Sequence, residues 1–246
     1  MTELSPKRRA PILDGRLSAA FALARDCRAF ADIGADHGRL SAALLLADSG
    51  RRGLVADISP LALSKARSRI QSLRLEDRVQ FAVADGLDAL EGAKADTVLI
   101  LGMGGDTIRG ILTRGAAHLH GAALILGPHT DAPLVRQALM DIGYRIRQEQ
   151  VVRDAGRDYL LLRATLAVGD EPTYTEEELL LGPVLLREYP ASWLPVLQRR
   201  KRLLGQGIRA MRETAKAKDA NRLCDYEREY GYVLRALARF GKEAEP

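Results

Sequence analysis

The chain has 246 residues, enough for one α/β domain of ordinary size and a smaller appendage. Hydrophobic residues make up 47% of it and charged residues 28%, a balance that excludes a largely disordered protein. The two cysteines, Cys27 and Cys224, form no CxxC pair, which excludes a zinc ribbon or a disulfide framework. We expect both to be inert, partly buried thiols in a reducing cytosol.

Neither the N-terminal segment nor any apolar run suggests export or a membrane anchor. Residues 1–15 carry basic side chains without a following apolar stretch, so we expect no signal peptide. The longest apolar runs, such as residues 42–47, are too short to cross a bilayer. The expected compartment is therefore the cytoplasm, with no membrane partner.

Short β-rich runs alternate with amphipathic stretches up to about residue 166, which predicts a parallel α/β sheet. A serine followed by proline at 59–60 predicts a helix that continues to about Leu73. A second helix is expected to begin within 130–133 and to end near Ile142. The predicted parallel strands are Ala29–Ile33, Gly53–Asp57, Val79–Val83, Thr97–Leu101 and Ala122–Leu126.

The pattern changes after the fifth predicted strand. Tyr144–Val152 and Asp158–Ala167 read as two more strands, and the five residues between them are too few for a crossover helix. We therefore expect an antiparallel hairpin. Five parallel strands closed by a hairpin is the layout of a class I methyltransferase, whereas a dehydrogenase continues with a sixth parallel unit.

A C-terminal helical region is expected after a polar linker at Val168–Tyr174. Apolar residues recur there at three- and four-residue spacing, which predicts two helices that pack as an antiparallel hairpin with a turn near 218–221. Trp193 is expected in its core rather than on a base-stacking surface. The seam can close within one chain or between two, so both a monomer and a homodimer remain open. The seam residues are Leu197, Leu204, Ile208 and Met211, then Leu223, Tyr226, Tyr230, Val233, Leu237 and Phe240.

Positive charge is concentrated in the same region. Residues 198–222 contain nine Lys or Arg and two acids, a net charge of +7 against +5 for the whole chain. A polyanionic partner such as a nucleic acid explains this segment, and so does a solvated helix face.

The segment ADIGADHG at 31–38 is expected to be a ligand-binding loop between the first strand and the following helix. Gly34 permits backbone angles that bring the chain close to a ligand. The glycine spacing does not match GxGxxG, and no P-loop lysine is present. Because Asp36 would repel a pyrophosphate at a helix N-terminus, the loop favours the ammonium-bearing methionine moiety of S-adenosylmethionine.

Two further acids follow successive predicted strands. Asp57 stands 25 residues after Asp32, where ribose hydroxyls bind in Rossmann-type sites. Asp85 and Gly86 follow the third strand, where a carboxylate can accept a hydrogen bond from the adenine amino group. Each can instead be a simple turn residue, but three acids at neighbouring strand ends favour a site.

The fourth predicted strand ends in the glycine-rich turn Leu101–Gly105, which offers backbone groups and Met103 but no side-chain amide. Such a turn suits a ring nitrogen such as adenine N1, which has an in-plane lone pair and mainly needs positioning. A plain tight turn before a helix explains the glycines as well. His37 is a candidate contact or proton acceptor, and the remaining histidines lack metal-ligand spacing, so we expect no metal site.

Four segments together resemble the bacterial tRNA adenine-N1-methyltransferase family that modifies adenosine-22, the TrmK family. The likeness continues through EEELLLGPVLLRE at 176–188 and into the closing helices, and so covers nearly the whole chain. The four segments are ADIGADHG at 31–38, LILGMGGDTIRGIL at 99–112, LILGPHTDAPLVRQAL at 124–139 and EQVVRDAGRDYLLLRA at 149–164.

The resemblance implies a Rossmann-like catalytic domain at 1–167 and a helical coiled-coil domain at 168–246 that helps hold tRNA. It also implies S-adenosylmethionine as methyl donor, with Asp36 and His37 as the candidate catalytic residues. The candidate cofactor-binding residues are Asp32, Gly34, Asp36, Asp57, Ile58, Asp85, Gly86, Gly102, Met103 and Gly104.

The chain departs from that family in two places. Arg39, Leu40 and Ser41 stand where relatives often carry Tyr-Leu-Pro, and residues 127–129 read Gly-Pro-His where relatives tend to have Gln-Pro-Asn. Two other functions therefore remain open: a class I methyltransferase acting on a small molecule or protein, and a non-catalytic RNA-binding protein on the same fold.

Overall fold

The computed structural model describes residues 10–214 and 220–243. Residues 1–9, Lys216, Lys218 and the first part of the predicted turn near 218–221 lie outside this description. Seven strands form one sheet with the order β3-β2-β1-β4-β5-β7-β6. The strands are β1 (Ala29–Ile33), β2 (Arg52–Asp57), β3 (Val79–Val83), β4 (Thr97–Met103), β5 (Ala123–Pro128), β6 (Tyr144–Asp154) and β7 (Arg157–Leu166).

The first five strands are parallel, and β7 runs antiparallel to both β5 and β6. The predicted fold class is therefore confirmed. The hairpin is tighter than predicted, since only Ala155 and Gly156 connect its strands and both have positive φ. Two central residues with positive φ are typical of the turns that match the twist of paired strands.

Nine labelled helices accompany the sheet in the described part of the chain. Ser59 caps α3 by accepting a hydrogen bond from the backbone N–H of Ala62, as its sequence signal predicts. None of the described helices is long and apolar enough to cross a membrane. They are α1 (Gly15–Leu23), α2 (Arg39–Ala47), α3 (Pro60–Ser72), α4 (Gly105–Gly115), α5 (Ala132–Asp141), α6 (Glu176–Leu181), α7 (Leu185–Glu188), α8 (Leu194–Thr214) and α9 (Ala220–Glu243).

Both faces of the sheet are buried because neighbouring side chains along a strand point to opposite faces. On β4, Val98 and Ile100 pack in one core with α4 and α5. Leu99, between them in sequence, packs in a second core with residues of α1 and α2. Because both faces of the sheet are packed against helices, the carboxyl ends of its strands are the part of the sheet that can form a binding site.

The helices α8 and α9 pack along each other as predicted, and Trp193 lies in their core. Val233 of the predicted seam is completely buried there. The expectation for the cysteines is half wrong. Cys27 is buried, whereas Cys224, next to the seam position Leu223, is exposed.

A buried ion pair fastens this helical region to the sheet domain. Arg136 of α5 donates from Nε to Glu149 of β6 over 2.9 Å, and from Nη1 to the carbonyls of Leu179 and Leu180. The second carboxylate oxygen of Glu149 accepts the backbone N–H of Val184. The hydrogen bonds to Leu179, Leu180 and Val184 link the sheet domain to the α6–α7 segment, so the pair acts as a joint.

Candidate functional site

A cavity of about 620 Å³ lies at the carboxyl edge of the sheet, beyond β1, β2, β3 and β4. Because β1 and β4 are neighbours where the strand order reverses, this is the point at which open α/β sheets bind ligands. Ten of the eleven predicted site residues line it. They are Asp32, Gly34, Asp36, His37, Asp57, Ile58, Asp85, Gly86, Gly102 and Met103.

The loop after β1 is shaped by Gly34, which has a φ of +70°. A Cβ at this position would overlap the terminal methyl group of Met103, so the β4 side chain lies directly over the bare Cα. The Gly34 N–H donates to the carbonyl of Ala56 over 2.8 Å. A glycine is therefore required both by its backbone angle and by the close approach of Met103.

Asp32 is the most deeply buried acid of the cavity. Its carboxylate accepts a hydrogen bond from the Ser41 hydroxyl of α2. Burial raises the pKa of Asp32 to about 6, opposed by the Ser41 hydrogen bond and reinforced by the negative charge of Asp57. At neutral pH it is a negative charge held at an energetic cost.

Asp57 is oriented by backbone groups at the end of β2. One carboxylate oxygen accepts the N–H of Ser59 over 2.8 Å, and the other lies 3.4 Å from the N–H of Asp36. The next residue, Ile58, is 67% exposed. An anchored carboxylate beside an exposed apolar side chain is suited to a ligand with both hydroxyl groups and a flat ring.

Asp36 and His37 lie at the mouth, and both are exposed. Asp36 has a φ of +46°, an unusual conformation for a residue other than glycine. One of its carboxylate oxygens lies 3.5 Å from Nε2 of His37. The loop thus presents a carboxylate and an imidazole together.

The loop after β3 adds a fourth carboxylate. Arg114 of α4 donates to both oxygens of Asp85, over 3.2 and 3.3 Å. Gly86 has a φ of +61°, and a Cβ there would come within 3.0 Å of Ile111. The carboxylate keeps free lone pairs for a further donor.

The glycine-rich turn divides into two parts. Gly102, with a φ of +80°, lines the cavity, and so does Met103. Gly104 is the predicted site residue that does not line it, because it immediately precedes α4 and faces Thr130. Gly105 packs against the backbone of residues 130–131, so part of the motif serves helix packing.

Residues outside the predicted set of site residues also line the cavity. Among them are Arg16 of α1 and His129, directly after β5. His129 contacts Tyr159 of β7, with ring centroids 5.8 Å apart. Two sequence signals point to His129: its position at the carboxyl end of a parallel strand, and its place in the Gly-Pro-His segment at 127–129.

Arg39 holds the chain before α1 in place. It donates to the carboxylate of Asp14 over 3.3 Å and to the carbonyl of Ile12. Across the described ranges, no three His, Cys, Asp or Glu side chains form a group that could hold a metal ion.

Several arginines of the basic segment form ion pairs with carboxylates of the same chain, so fewer of its positive charges are unpaired than the sequence suggests. Arg199 of α8 pairs with Asp158 at 2.7 Å, and Arg200 pairs with Glu229 at 2.5 Å. A third arginine, Arg212, also has a carboxylate partner on α9. The exposed cations of α8 without an ion pair to another described residue are Lys201, Arg202 and Arg209.

Comparison with known proteins places this geometry in a family. A family model described as a methyltransferase domain matches residues 13–162. The chain is 29% identical over 168 residues to the tRNA (adenine(22)-N(1))-methyltransferase of Bacillus subtilis, covering 67% of this chain and 71% of that protein.

Solved structures extend the likeness to the helical region. The crystal structure of the B. subtilis M1A22 tRNA methyltransferase TrmK matches with a TM-score of 0.84 at 23% identity, covering 92% of this chain and 99% of that one. Streptococcus pneumoniae Sp1610, solved in complex with S-adenosyl-L-methionine, matches with a TM-score of 0.78 at 21% identity, covering 92% and 100%. These structures share the fold over both the sheet and the helical appendage.

Proposed function

We propose that this chain, which belongs to the methyltransferase-domain family and within it to the TrmK family, transfers a methyl group from S-adenosylmethionine to N1 of an adenosine in tRNA. The observation that carries the proposal is the single cavity into which Asp32, Asp36, Asp57 and Asp85 converge from successive strands. By analogy with the B. subtilis relative, the acceptor is adenosine-22.

The cavity residues fit the methyl donor. Asp57, anchored by two backbone N–H groups, is placed to accept hydrogen bonds from ribose hydroxyls, with Ile58 against the adenine ring. Asp85 accepts from the adenine amino group. Asp32 and Asp36 balance the positive charge of the methionine moiety, and Gly34 keeps the loop free of a side chain. When bound, the donor supplies an electrophilic methyl group on a sulfonium.

Methylation of the acceptor base requires little acid–base catalysis by the protein. Adenine N1 has an in-plane lone pair and loses no proton when it takes the methyl group, so positioning is the main contribution of the chain. We assign that positioning to the backbone of Gly102 and Met103. The base becomes cationic, and the Asp36 carboxylate beside His37 is placed to stabilise that charge.

We assign the contact with the RNA backbone to Lys201, Arg202 and Arg209 of α8. These exposed cations are free to neutralise phosphates, whereas Arg199 and Arg200 are held by carboxylates of the same chain. The acceptor adenosine has to leave its stack to reach the cavity, since stacking and pairing shield N1 in a duplex.

Methyl transfer to unmodified tRNA transcripts tests the proposal. Purified protein with methyl-labelled cofactor should label tRNA, and the variant Asp36→Asn should label it more slowly while retaining its fold. Label on a small molecule or protein but not on tRNA would establish the second function. tRNA binding without calorimetric binding of S-adenosylhomocysteine would establish a non-catalytic RNA-binding protein.

A further inference from the structure

Three residues from distant parts of the chain meet at the mouth of the cavity. The His129 ring lies 5.8 Å from the Tyr159 ring at an interplanar angle of 59°. The guanidinium carbon of Arg16 lies 5.6 Å from the centre of the same Tyr159 ring. Tyr159 therefore contacts both a cation and an aromatic ring, while His129 is exposed.

The cluster faces the glycine-rich turn. A Cβ built on Gly102 would lie 3.1 Å from Nη1 of Arg16 and 4.0 Å from Nε2 of His129. Any side chain at position 102 would therefore enter the space between the turn and the imidazole. That space adjoins the site to which methyl transfer is assigned above.

His129 also stands between two cavities. Besides the large cavity it lines a second one of about 350 Å³, whose other walls include Trp193 and Arg200 of the helical region. The imidazole is therefore shared by the cavity at the glycine-rich turn and the cavity beside the helical region.

The surroundings of His129 favour the neutral form of its imidazole. Partial burial lowers the pKa of His129, and the positive charges of Arg16 and Arg157 lower it further. A neutral aromatic ring can stack on a nucleobase and does not repel a base that becomes cationic.

We propose that His129 stacks on the acceptor adenine and fixes its N1 at the glycine-rich turn, while Tyr159 positions the imidazole. This inference rests on the proposed tRNA methylation. A base leaving its own stack loses stacking energy, and an aromatic side chain that stacks on the base replaces part of that energy. His129 is then a specificity residue for the base, and Tyr159 a positioning residue.

The test compares His129→Ala with His129→Phe, which keeps an aromatic ring but has no titrating nitrogen. His118→Ala is the matched control, because His118 precedes β5 and His129 follows it, at opposite ends of one strand. Steady-state methylation gives kcat and KM for tRNA. Calorimetry with S-adenosylhomocysteine reports the cofactor site, and thermal melting reports the fold.

His129→Ala should lower kcat/KM for tRNA about tenfold or more, which corresponds to the stacking contribution of one base. His129→Phe should recover most of that loss, and the affinity for S-adenosylhomocysteine should stay within about twofold throughout, as no stacking on the cofactor is involved. Tyr159→Leu should reproduce part of the loss, and Tyr159→Phe should not.

If His129→Ala and His118→Ala had equal kinetics while the wild type was active, stacking by His129 would be overturned. The proposed function would remain intact. A His129→Phe variant as impaired as His129→Ala would also overturn stacking, because the imidazole nitrogen would then be the essential group. A wild-type protein that labels no tRNA would refute the proposed function itself.

Discussion

Two carboxylates of the cavity and two arginines of the helical region differ in whether they are paired with an opposite charge of the same chain. At the cavity, Asp57 and Asp36 engage backbone N–H groups or an exposed imidazole, so their negative charge remains available to a ligand. On α8, Arg199 and Arg200 each form an ion pair with a carboxylate of the same chain, which largely neutralises their positive charge. Formal charge counted along the sequence therefore overstates the free charge of α8, whereas it describes Asp36 and Asp57 of the cavity well.

A charged side chain is therefore available to a ligand only where no opposite charge of the same chain already pairs with it. The most deeply buried ion pair of the described residues joins Arg136 to Glu149, which are 3% and 0% exposed, where the sheet domain meets the α6–α7 segment. Such a pair stabilises mainly by avoiding an uncompensated buried charge. The predictions below remove charges of each kind in turn.

The largest effect is expected at the joint. Glu149→Gln leaves Arg136 buried without a counter-charge and turns an amide group towards backbone N–H donors. We expect the free energy of unfolding to fall by about 3–5 kcal/mol in urea denaturation. Asp106→Asn, which removes an exposed ion pair with Arg109, is the control and should change little. Equal losses in both variants would contradict the role of the joint.

The next effect concerns the pH dependence of stability. Burial raises the pKa of Asp32 from 3.8 to about 6, so the folded state binds this proton more tightly than the unfolded chain. The charge therefore costs nothing below about pH 4 and about 3 kcal/mol above pH 6. Asp32→Asn should be more stable than the wild type at pH 7.5.

That advantage should shrink as the pH falls from 6 to 4, and denaturation curves at the two limits measure it. Affinity for S-adenosylhomocysteine should fall in the same variant, because the carboxylate that we assign to the positively charged methionine moiety loses its charge. A pH-independent difference in stability between the two proteins would contradict the raised pKa of Asp32.

A smaller effect is expected from a carboxylate whose charge remains available. Asp57→Ala removes the assigned ribose acceptor and should weaken binding of S-adenosylhomocysteine about 30-fold, or about 2 kcal/mol. Asp77→Ala, an exposed acid near the opposite end of the sheet, is the control. Calorimetry measures the affinity of both variants. An unchanged affinity in Asp57→Ala would contradict the assignment of Asp57 as the ribose acceptor.

The smallest effect is expected on the RNA side. Replacing Lys201, Arg202 and Arg209 by Gln should weaken tRNA binding about tenfold and lower the slope of log affinity against log salt by about 3. A matched triple replacement of the exposed cations Lys65, Arg74 and Lys94 removes the same charge elsewhere. Equal losses in the two triple variants would show that net charge, not the α8 surface, binds the RNA.

The sheet was largely predictable from the sequence. Ala29–Ile33 and Val79–Val83 match the observed β1 and β3 residue for residue, because buried parallel strands are short apolar runs bounded by turn residues. The hairpin followed from a connection too short for a crossover. The acids of the cavity were also predictable, since the carboxyl ends of parallel strands meet at one edge. Their chemical roles stay predictions.

What the sequence could not reveal depends on contacts between distant segments. Arg16, His129 and Tyr159 come from α1, the end of β5 and β7, and no local pattern links them. The carboxylate partners of Arg199 and Arg200 are likewise set by how α8 packs on β7 and α9. A charge count along one segment contains no information about such pairing.

The most direct test of the whole account is to identify the methylated atom. Wild-type protein is incubated with unmodified tRNA and methyl-labelled cofactor, the RNA is digested to nucleosides, and the product is assigned by mass spectrometry against standards. The account predicts 1-methyladenosine at a single position. N6-methyladenosine, a methylated guanosine or an unlabelled tRNA would contradict it.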